Sequence, residues 1–191
     1  GCIKWKEGIK MKGIIIYGSH YGTTKQYAKE LSKQTGLPIE NEQNLVTIDH
    51  YDFVVYLGGL YAGGLKGFKN FQKKIHSKIK LIVVTVGLAD VTDEENIKNI
   101  RQSLKHQIPK SLMATTIIYH LRGGIDYSKL NFKHKTMMSL LYTMIKKKAR
   151  EKMSAEDLAM METYHKQVNF VDFDMLKPII KDINNMIKED L

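Results

Sequence analysis

The chain has 191 residues, 43% of them hydrophobic, and a formal charge of +10. That length and apolar content support one globular domain with a sizeable core. The only cysteine, Cys2, rules out an internal disulfide and gives no sign of a cysteine-based metal site, and the absence of an apolar run of about 18 residues argues against a membrane span.

Residues 1–10 precede a Met11-Lys12 that reads as a start abutting the first strand, so they are set aside as a tag or an extended amino terminus. From Met11 to Leu191 a single domain is expected. The β-branched run Gly13 to Tyr17 predicts a strand, and Thr24 to Thr35 predicts a helix ended by Gly36 and Pro38. A shorter strand is expected near Leu37 to Glu40. Further strands are read at Phe53 to Leu57, Leu81 to Val86 and Thr115 to Tyr119, with helices at Phe68 to Ile75 and Asp93 to His106 between them. Thr92-Asp93-Glu94-Glu95 supplies a cap and an acidic first turn for the second of these helices. A basic helix is predicted over Thr136 to Arg150 and a last helix over Asp174 to Ile187. Strands that are apolar throughout suit a parallel sheet covered on both faces. Alternation with helices gives an α/β doubly wound fold, with ligands bound beyond the carboxyl ends of the strands.

Three turns lie at that edge. Ser19-His20-Tyr21-Gly22-Thr23-Thr24 follows the first strand and opens the first helix, bringing three hydroxyls and free backbone N–H groups to the positive end of a helix dipole. Such a cradle suits a phosphate without Lys or Arg. Gly58 to Gly64 follows the third strand, and its glycines allow a flat ligand to approach the backbone while Tyr61 stacks on it. Gly87-Leu88-Ala89-Asp90 follows the run Leu81 to Val86. No G-x-G-x-x-G can be laid on these positions, so a Rossmann NAD site is not expected. Together the three turns point to a phosphorylated planar cofactor.

With these residues the chain resembles the flavodoxin superfamily, whose phosphate loop has the form S/T-x-x-G-x-T; Ser19, Gly22 and Thr24 fit it. The resemblance extends over Met11 to Leu191 and implies a five-stranded sheet in the order 2-1-3-4-5, with a basic helical insertion of residues 128–168 after the last strand. Within the superfamily the chain looks most like the flavodoxin-domain branch that includes bacterial quinone-linked protoporphyrinogen oxidases, through Tyr51-Asp52-Phe53-Val54-Val55, the glycine-rich loop and the basic insertion. The implied cofactor is FMN. Its phosphate would be held by Ser19, Thr24 and the backbone from His20 through Tyr21 and Gly22 to Thr23, and its ring would be walled by Gly59, Leu60, Tyr61, Ala62 and Gly63 on one side and Gly87, Leu88 and Ala89 on the other. Tyr21 stands where many flavodoxins have a small hydroxyl residue, and the net positive charge contrasts with the acidic surface of electron-carrier flavodoxins.

The charge is local. Between Lys133 and Lys152 seven basic side chains face the single acid Glu151. Met137, Met138, Leu141, Met144 and Ile145 follow helical spacing opposite Ser139, Thr143, Lys146, Lys147 and Arg150, which predicts a basic amphipathic helix. Such a helix either packs on the core with a solvated basic end, walls a bulky apolar substrate, or lies on an anionic membrane surface through Lys146, Lys147, Lys148 and Arg150. The cluster lacks interleaved aromatics, so nucleic acid is not an expected partner. The histidines show no H-x-x-x-H pair and no metal site is expected. His20 could add charge beside the phosphate; His120 and Arg122 either border the ring or are structural.

The expectation is an FMN-dependent oxidoreductase, cytoplasmic by default or peripheral on the inner membrane face, that passes electrons from a reduced substrate to a quinone or a protein acceptor. An electron carrier without a substrate of its own, and a non-redox binding module on the same fold, stay open. No catalytic side chain is assigned, because the flavin carries the redox chemistry.

Overall fold

The computed structural model describes residues 10–61, 64–76 and 78–188. Its main sheet contains β1 (Gly13–Gly18), β2 (Ile39–Asn41), β3 (Phe53–Tyr61), the two-residue β4 (Gly64–Leu65), β5 (Lys80–Gly87) and β6 (Ile117–Arg122). The order is β2-β1-β3-β5-β6, all parallel, with β4 turned back antiparallel on β3. Without that hairpin strand the order is the expected doubly wound one.

The helices are α1 (Thr23–Thr35), α2 (Phe68–Phe71), α3 (Glu94–Leu104), α4 (Lys110–Met113), α5 (Phe132–Ile145), α6 (Ala155–Thr163) and α7 (Lys177–Ile187). Alternation along each strand divides the core into two layers. Ile14, Ile16, Val54, Tyr56, Leu81 and Val83 pack towards α2 and α3, against Phe68, Phe71, Ile100 and Leu104. Ile15, Tyr17, Val55, Leu57, Ile82 and Val84 pack towards α1 and α7, against Tyr27, Leu31, Leu176, Ile179 and Ile183. The register places Ile15, Val55, Ile82 and Ile117 side by side across the sheet. Because both faces are covered, the central strands have no polar alternation to show.

After β6 the chain makes an excursion bracketed by β7 (Gly124–Asp126) and β8 (Gln167–Asn169), which pair antiparallel as a separate ribbon. Helices α5 and α6 lie between them and enclose a third, smaller core of Ile125, Tyr127, Met138, Ile145 and Met160. Among the described residues no helix is long and apolar enough to cross a membrane.

Several boundaries differ from the sequence reading, each for a local reason. Strand β3 does not stop at Leu57 but continues through Gly58 and Gly59, in register with Thr85 and Val86. The glycines here serve a close approach: a Cβ on Gly58 would stand 2.5 Å from Leu65 Cγ, and one on Gly18 2.2 Å from the Lys66 carbonyl oxygen. They let the β4 hairpin cross the sheet end. Strand β6 starts at Ile117, because the N–H groups of Thr115 and Thr116 both go to the Leu112 carbonyl and close helix α4. It therefore runs on to include His120 and Arg122. Helix α5 begins at Phe132, capped by Asn131 Oδ1 accepting the His134 N–H at 2.8 Å, and ends before the lysine cluster. The predicted first turn of the last helix is a 3-10 turn, Phe173–Leu176, and the α-helix proper starts around Pro178, whose fixed φ and missing N–H suit a helix start.

Candidate functional site

β1 ends at Gly18, and the next residues form a tight turn in which Ser19 Oγ accepts the Gly22 N–H at 3.0 Å. Gly22 has φ 90°, left-handed, and leads into α1 without any side-chain cap. The first N–H groups of that helix therefore have neither an intrahelical acceptor nor a capping side chain, and they sit at the positive end of the dipole. Thr24 is buried, with Oγ1 lying over Gly59, where a Cβ would stand 3.4 Å away. Thr23 Oγ1 lies over Gly123, 2.5 Å from where a Cβ would be. The strand-end glycine Gly123 thus makes room for Thr23, while Thr24 packs over Gly59 at ordinary contact distance.

His20 is half-buried in an aromatic group with Tyr61 (ring centroids 4.8 Å), Tyr21 (5.8 Å) and His134 (6.0 Å). Burial, with help from Lys66 and His134, holds its pKa down at about 4. It is neutral at pH 7 and adds no charge to the turn. Tyr21 donates its hydroxyl to Met138 Sδ at 3.2 Å, tying the turn to α5, and burial pushes its phenol pKa up.

The turn opens into a cleft at the end of the sheet. One wall is Gly59, Leu60 and Tyr61 from the end of β3; another is Val86, Gly87 and Leu88 from the end of β5. Helices α5 and α6 roof it with Met138, Leu141, Ile145 and Met160, and Ser154, Glu156 and Asp157 add polar groups at the α6 end. The cleft lies at the carboxyl ends of β1, β3, β5 and β6, where the strand order reverses.

Of the residues singled out from sequence, His20, Tyr21, Thr23, Thr24, Gly59, Leu60, Tyr61, Gly87 and Leu88 line this cleft together. Ser19 and Gly22 shape the turn from behind it. Ala89 is buried and turns into the α2–α3 core layer instead of the cleft. Ala62 and Gly63 lie outside the described residues. His120 belongs to the scaffold: its Nδ1 is 2.7 Å from Thr85 Oγ1, and its Nε2 accepts from Arg101 Nε at 3.1 Å. The second bond assigns the proton to Nδ1.

Arg122 borders the site in a way its sequence position did not settle. Its guanidinium donates twice to the Leu88 carbonyl, at 2.9 and 3.1 Å, and rests 3.7 Å above the Phe170 ring. It fixes the loop after β5 from below. The sequence reading did not single out Glu156 at all. Glu156 stands in the first turn of α6, inside a capping box of Ser154 and Asp157, and its carboxylate lies directly over Gly87: a Cβ there would be 2.5 Å from Oε1. The backbone N–H groups of Leu88 and Ala89 are turned to that carboxylate, but Oε1 is shut off from solvent and has no hydrogen-bond partner. Burial raises its pKa to about 7, against the opposing pull of those two N–H groups and of Arg122. The available sequence signal was Ser154 with Asp157, a capping-box spacing whose neighbour Glu156 points off the same turn.

The family model of the flavodoxin domain matches residues 14–152. Comparison with the sequences of curated proteins finds no match. Among solved structures, the chain is similar to a flavoprotein in complex with FMN from Lactobacillus acidophilus NCFM, at 10% identity and a TM-score of 0.43, over 59% of this chain and 92% of that one. It is also similar to a cysteine-to-alanine variant of flavodoxin from Pseudomonas aeruginosa, at 17% identity and a TM-score of 0.37, over 70% of this chain and 96% of that one. With its strand order, its strand-to-helix turn at Ser19–Thr24 and a family match over most of its length, the chain belongs to the flavodoxin domain family.

Proposed function

We propose that the protein binds FMN in this cleft and works as an oxidoreductase, taking electrons from a reduced substrate and passing them to a quinone or protein acceptor. The observation that carries the reading is the union of two features in one cavity: uncapped helix amides with threonine hydroxyls at one end, and glycine-edged and aromatic walls at the other. The residues fit the group. The amides from Thr23 onward and Thr24 would receive the phosphate, and Tyr61 and Leu88 would flank the ring. FMN when bound supplies the transfer of electrons, so the chain's own part is to bind, to orient and to exclude water.

The apolar roof of Met138, Leu141 and Met160 supports the oxidase-like reading, because a wall of flexible side chains adapts to a bulky apolar substrate. A porphyrinogen is a substrate class that fits this wall. Titration with FMN should give a yellow complex with quenched flavin fluorescence, and Thr24→Val should weaken binding on the order of tenfold or more, the effect of removing a hydrogen bond to a charged group. Absence of saturable FMN binding would refute the reading. Turnover of porphyrinogen with a quinone separates an enzyme from an electron carrier, which would cycle electrons with a protein partner and show no such turnover.

One further observation favours peripheral contact with anionic lipid. On the outer side of α5, Phe132, Leu140 and Met144 are 86%, 63% and 66% exposed. Met144 and Met137 belong to this outer side, whereas Met138 and Ile145 of the same apolar set are buried. With Lys146, Lys147, Lys148 and Arg150 beyond the helix end, this row has the composition of an interfacial helix. Co-sedimentation with phosphatidylserine vesicles should be strong for the native chain and lost when Lys146, Lys147 and Lys148 are all replaced by Glu.

A further inference from the structure

The amides of Leu88 and Ala89 project from the loop that forms one wall of the cleft, and the polar edge of a planar heteroaromatic ring docked there would need such donors. They already face a carboxylate, that of Glu156, delivered from the segment between β6 and β8. Three geometric facts make Glu156 part of the cavity. It lines the cleft; its carboxylate lies close over Gly87, where a Cβ would stand 2.5 Å from Oε1; and Oε1 is withdrawn from solvent with no partner. A buried, half-satisfied carboxylate is costly to keep and calls for a ligand or a proton to complete it.

Resting on the FMN reading, we infer that Glu156 is a ligand-contacting residue of the cleft, and that it takes up a proton when the ring of the cofactor docks. Two physical effects act in the same direction. The ring covers the last open side of the carboxylate and removes water from it, which favours the neutral form. The ring also takes the Leu88 and Ala89 N–H groups, which until then stabilised the charged form. Once neutral, the carboxyl has an O–H to donate to an acceptor on the ring edge, where a carboxylate could only repel one. The proton comes from solvent, and no bond to carbon is made or broken.

Other charged and titratable groups face this carboxyl from every side. Asp157 is its neighbour on α6 and is itself paired with Lys148 at 2.9 Å. Arg122 approaches from the end of β6 and is shared with Asp90 of the loop after β5. His20, Tyr21 and Tyr61 share the cleft from the β1 and β3 ends. Arg122 opposes protonation and Asp157 favours it. His20, with its pKa held at about 4, does not change charge above pH 5.5. Glu156 already has a raised pKa before the ring arrives, so the uptake falls in the neutral range.

The test is FMN binding measured from pH 5.5 to 8.5 on the full chain and on Glu156→Gln, by flavin fluorescence and by calorimetry in two buffers of different ionisation enthalpy. Glutamine keeps the shape and the donor of the neutral acid, and Glu156→Ala serves as the second variant. The phosphate of FMN titrates near pH 6, and the variants carry that contribution unchanged. Relative to Glu156→Gln, the native chain should bind FMN about equally at pH 5.5 and about tenfold more weakly at pH 8.5, the effect of a one-unit shift. Calorimetry should show proton uptake near pH 7 in the native chain and none beyond the phosphate contribution in either variant. Parallel pH profiles for native chain and variants would overturn the inference and leave FMN binding intact. Native affinity that rises with pH relative to Glu156→Gln would also overturn it, since the carboxylate would then swing out to solvent. No FMN binding by any of the three proteins at any pH would refute the underlying reading and the inference with it.

Discussion

The five-stranded sheet and the segment between β6 and β8 are built on different principles. In the sheet, Ile15, Val55 and Ile82 are fully buried in adjacent strands, covered by helices above and below. In the excursion, a small core of Met138, Ile145 and Met160 meets Tyr127 and Ile125, while the opposite side of the same helix leaves Phe132, Leu140 and Met144 in solvent. A two-sided core fixes a scaffold. The one-sided core of the excursion presses instead on the loops that line the cleft, with Tyr21, Tyr61 and Leu88 as its partly buried neighbours. The first region holds the site open at a strand edge, and the second supplies its roof and, among the described residues, the acidic groups that line it.

The sharpest way to break that contrast is to empty one position in each core. Ile82→Ala, in the middle of the sheet, should lower the unfolding free energy by about 3–4 kcal/mol, because neighbours on both faces cannot close the cavity. Met138→Ala should cost about 2 kcal/mol, the low end for such a truncation, since its cavity opens onto the cleft and admits water. Urea denaturation of the two variants measures both. Equal losses would show that the excursion is as integral to the fold as the sheet.

Arg122 joins the two regions and gives the next largest effect. Its head group donates to Leu88 in the loop after β5 and stacks on Phe170 just past β8. Arg122→Met keeps the stem but leaves the Leu88 carbonyl without these donors and removes the cation over the ring. A loss of about 1–2 kcal/mol is expected. Arg122→Lys should recover part of the charge but not the paired donation, so it should fall between the two. A neutral result for Arg122→Met would mean that the loop holds its shape without the bridge.

The same contrast explains what could be read from the sequence. Phe53 to Leu57 and Leu81 to Val86 announce themselves because a strand buried on both faces is apolar throughout. The Ser19–Thr24 turn was legible as a strand-to-helix turn because its determinants are local: the hydroxyls, Gly22 and the helix start all fall within six residues. Glu156 was not legible, because its role comes from packing α6 across the end of β5, some seventy residues earlier in the chain. Gly58 and Gly59 misled in a different way. They look like a flexible loop, but they are strand residues, and Gly58 with Gly18 is kept small so that Leu65 and Lys66 can cross the sheet end. The spacing Met137, Met138, Leu141, Met144 and Ile145 announced a helix but not which apolar residues would be covered, because α5 is apolar on more than one side.

The smallest effect separates the regions by pH. His120 sits in the sheet between Thr85 and Arg101, and burial together with the Arg101 guanidinium lowers its pKa from 6.5 to about 4. The folded chain therefore binds fewer protons than the unfolded chain between these values. This contribution is fully present above pH 6.5 and is lost as the pH falls towards 4. Because part of the ring remains within reach of solvent, the loss should be about 1 kcal/mol. Glu156 runs the other way. Its pKa is raised from 4.5 to about 7, so its neutral form favours the fold below pH 4.5, and that advantage is lost as the pH rises to 7. Melting curves from pH 4 to 8 should therefore flatten on the acid side for His120→Asn and on the neutral side for Glu156→Gln. His20, lowered for the same reason as His120, keeps some acid slope in the first variant. If His120→Asn left the acid slope unchanged, His120 would not be the neutral scaffold residue that its two hydrogen bonds describe.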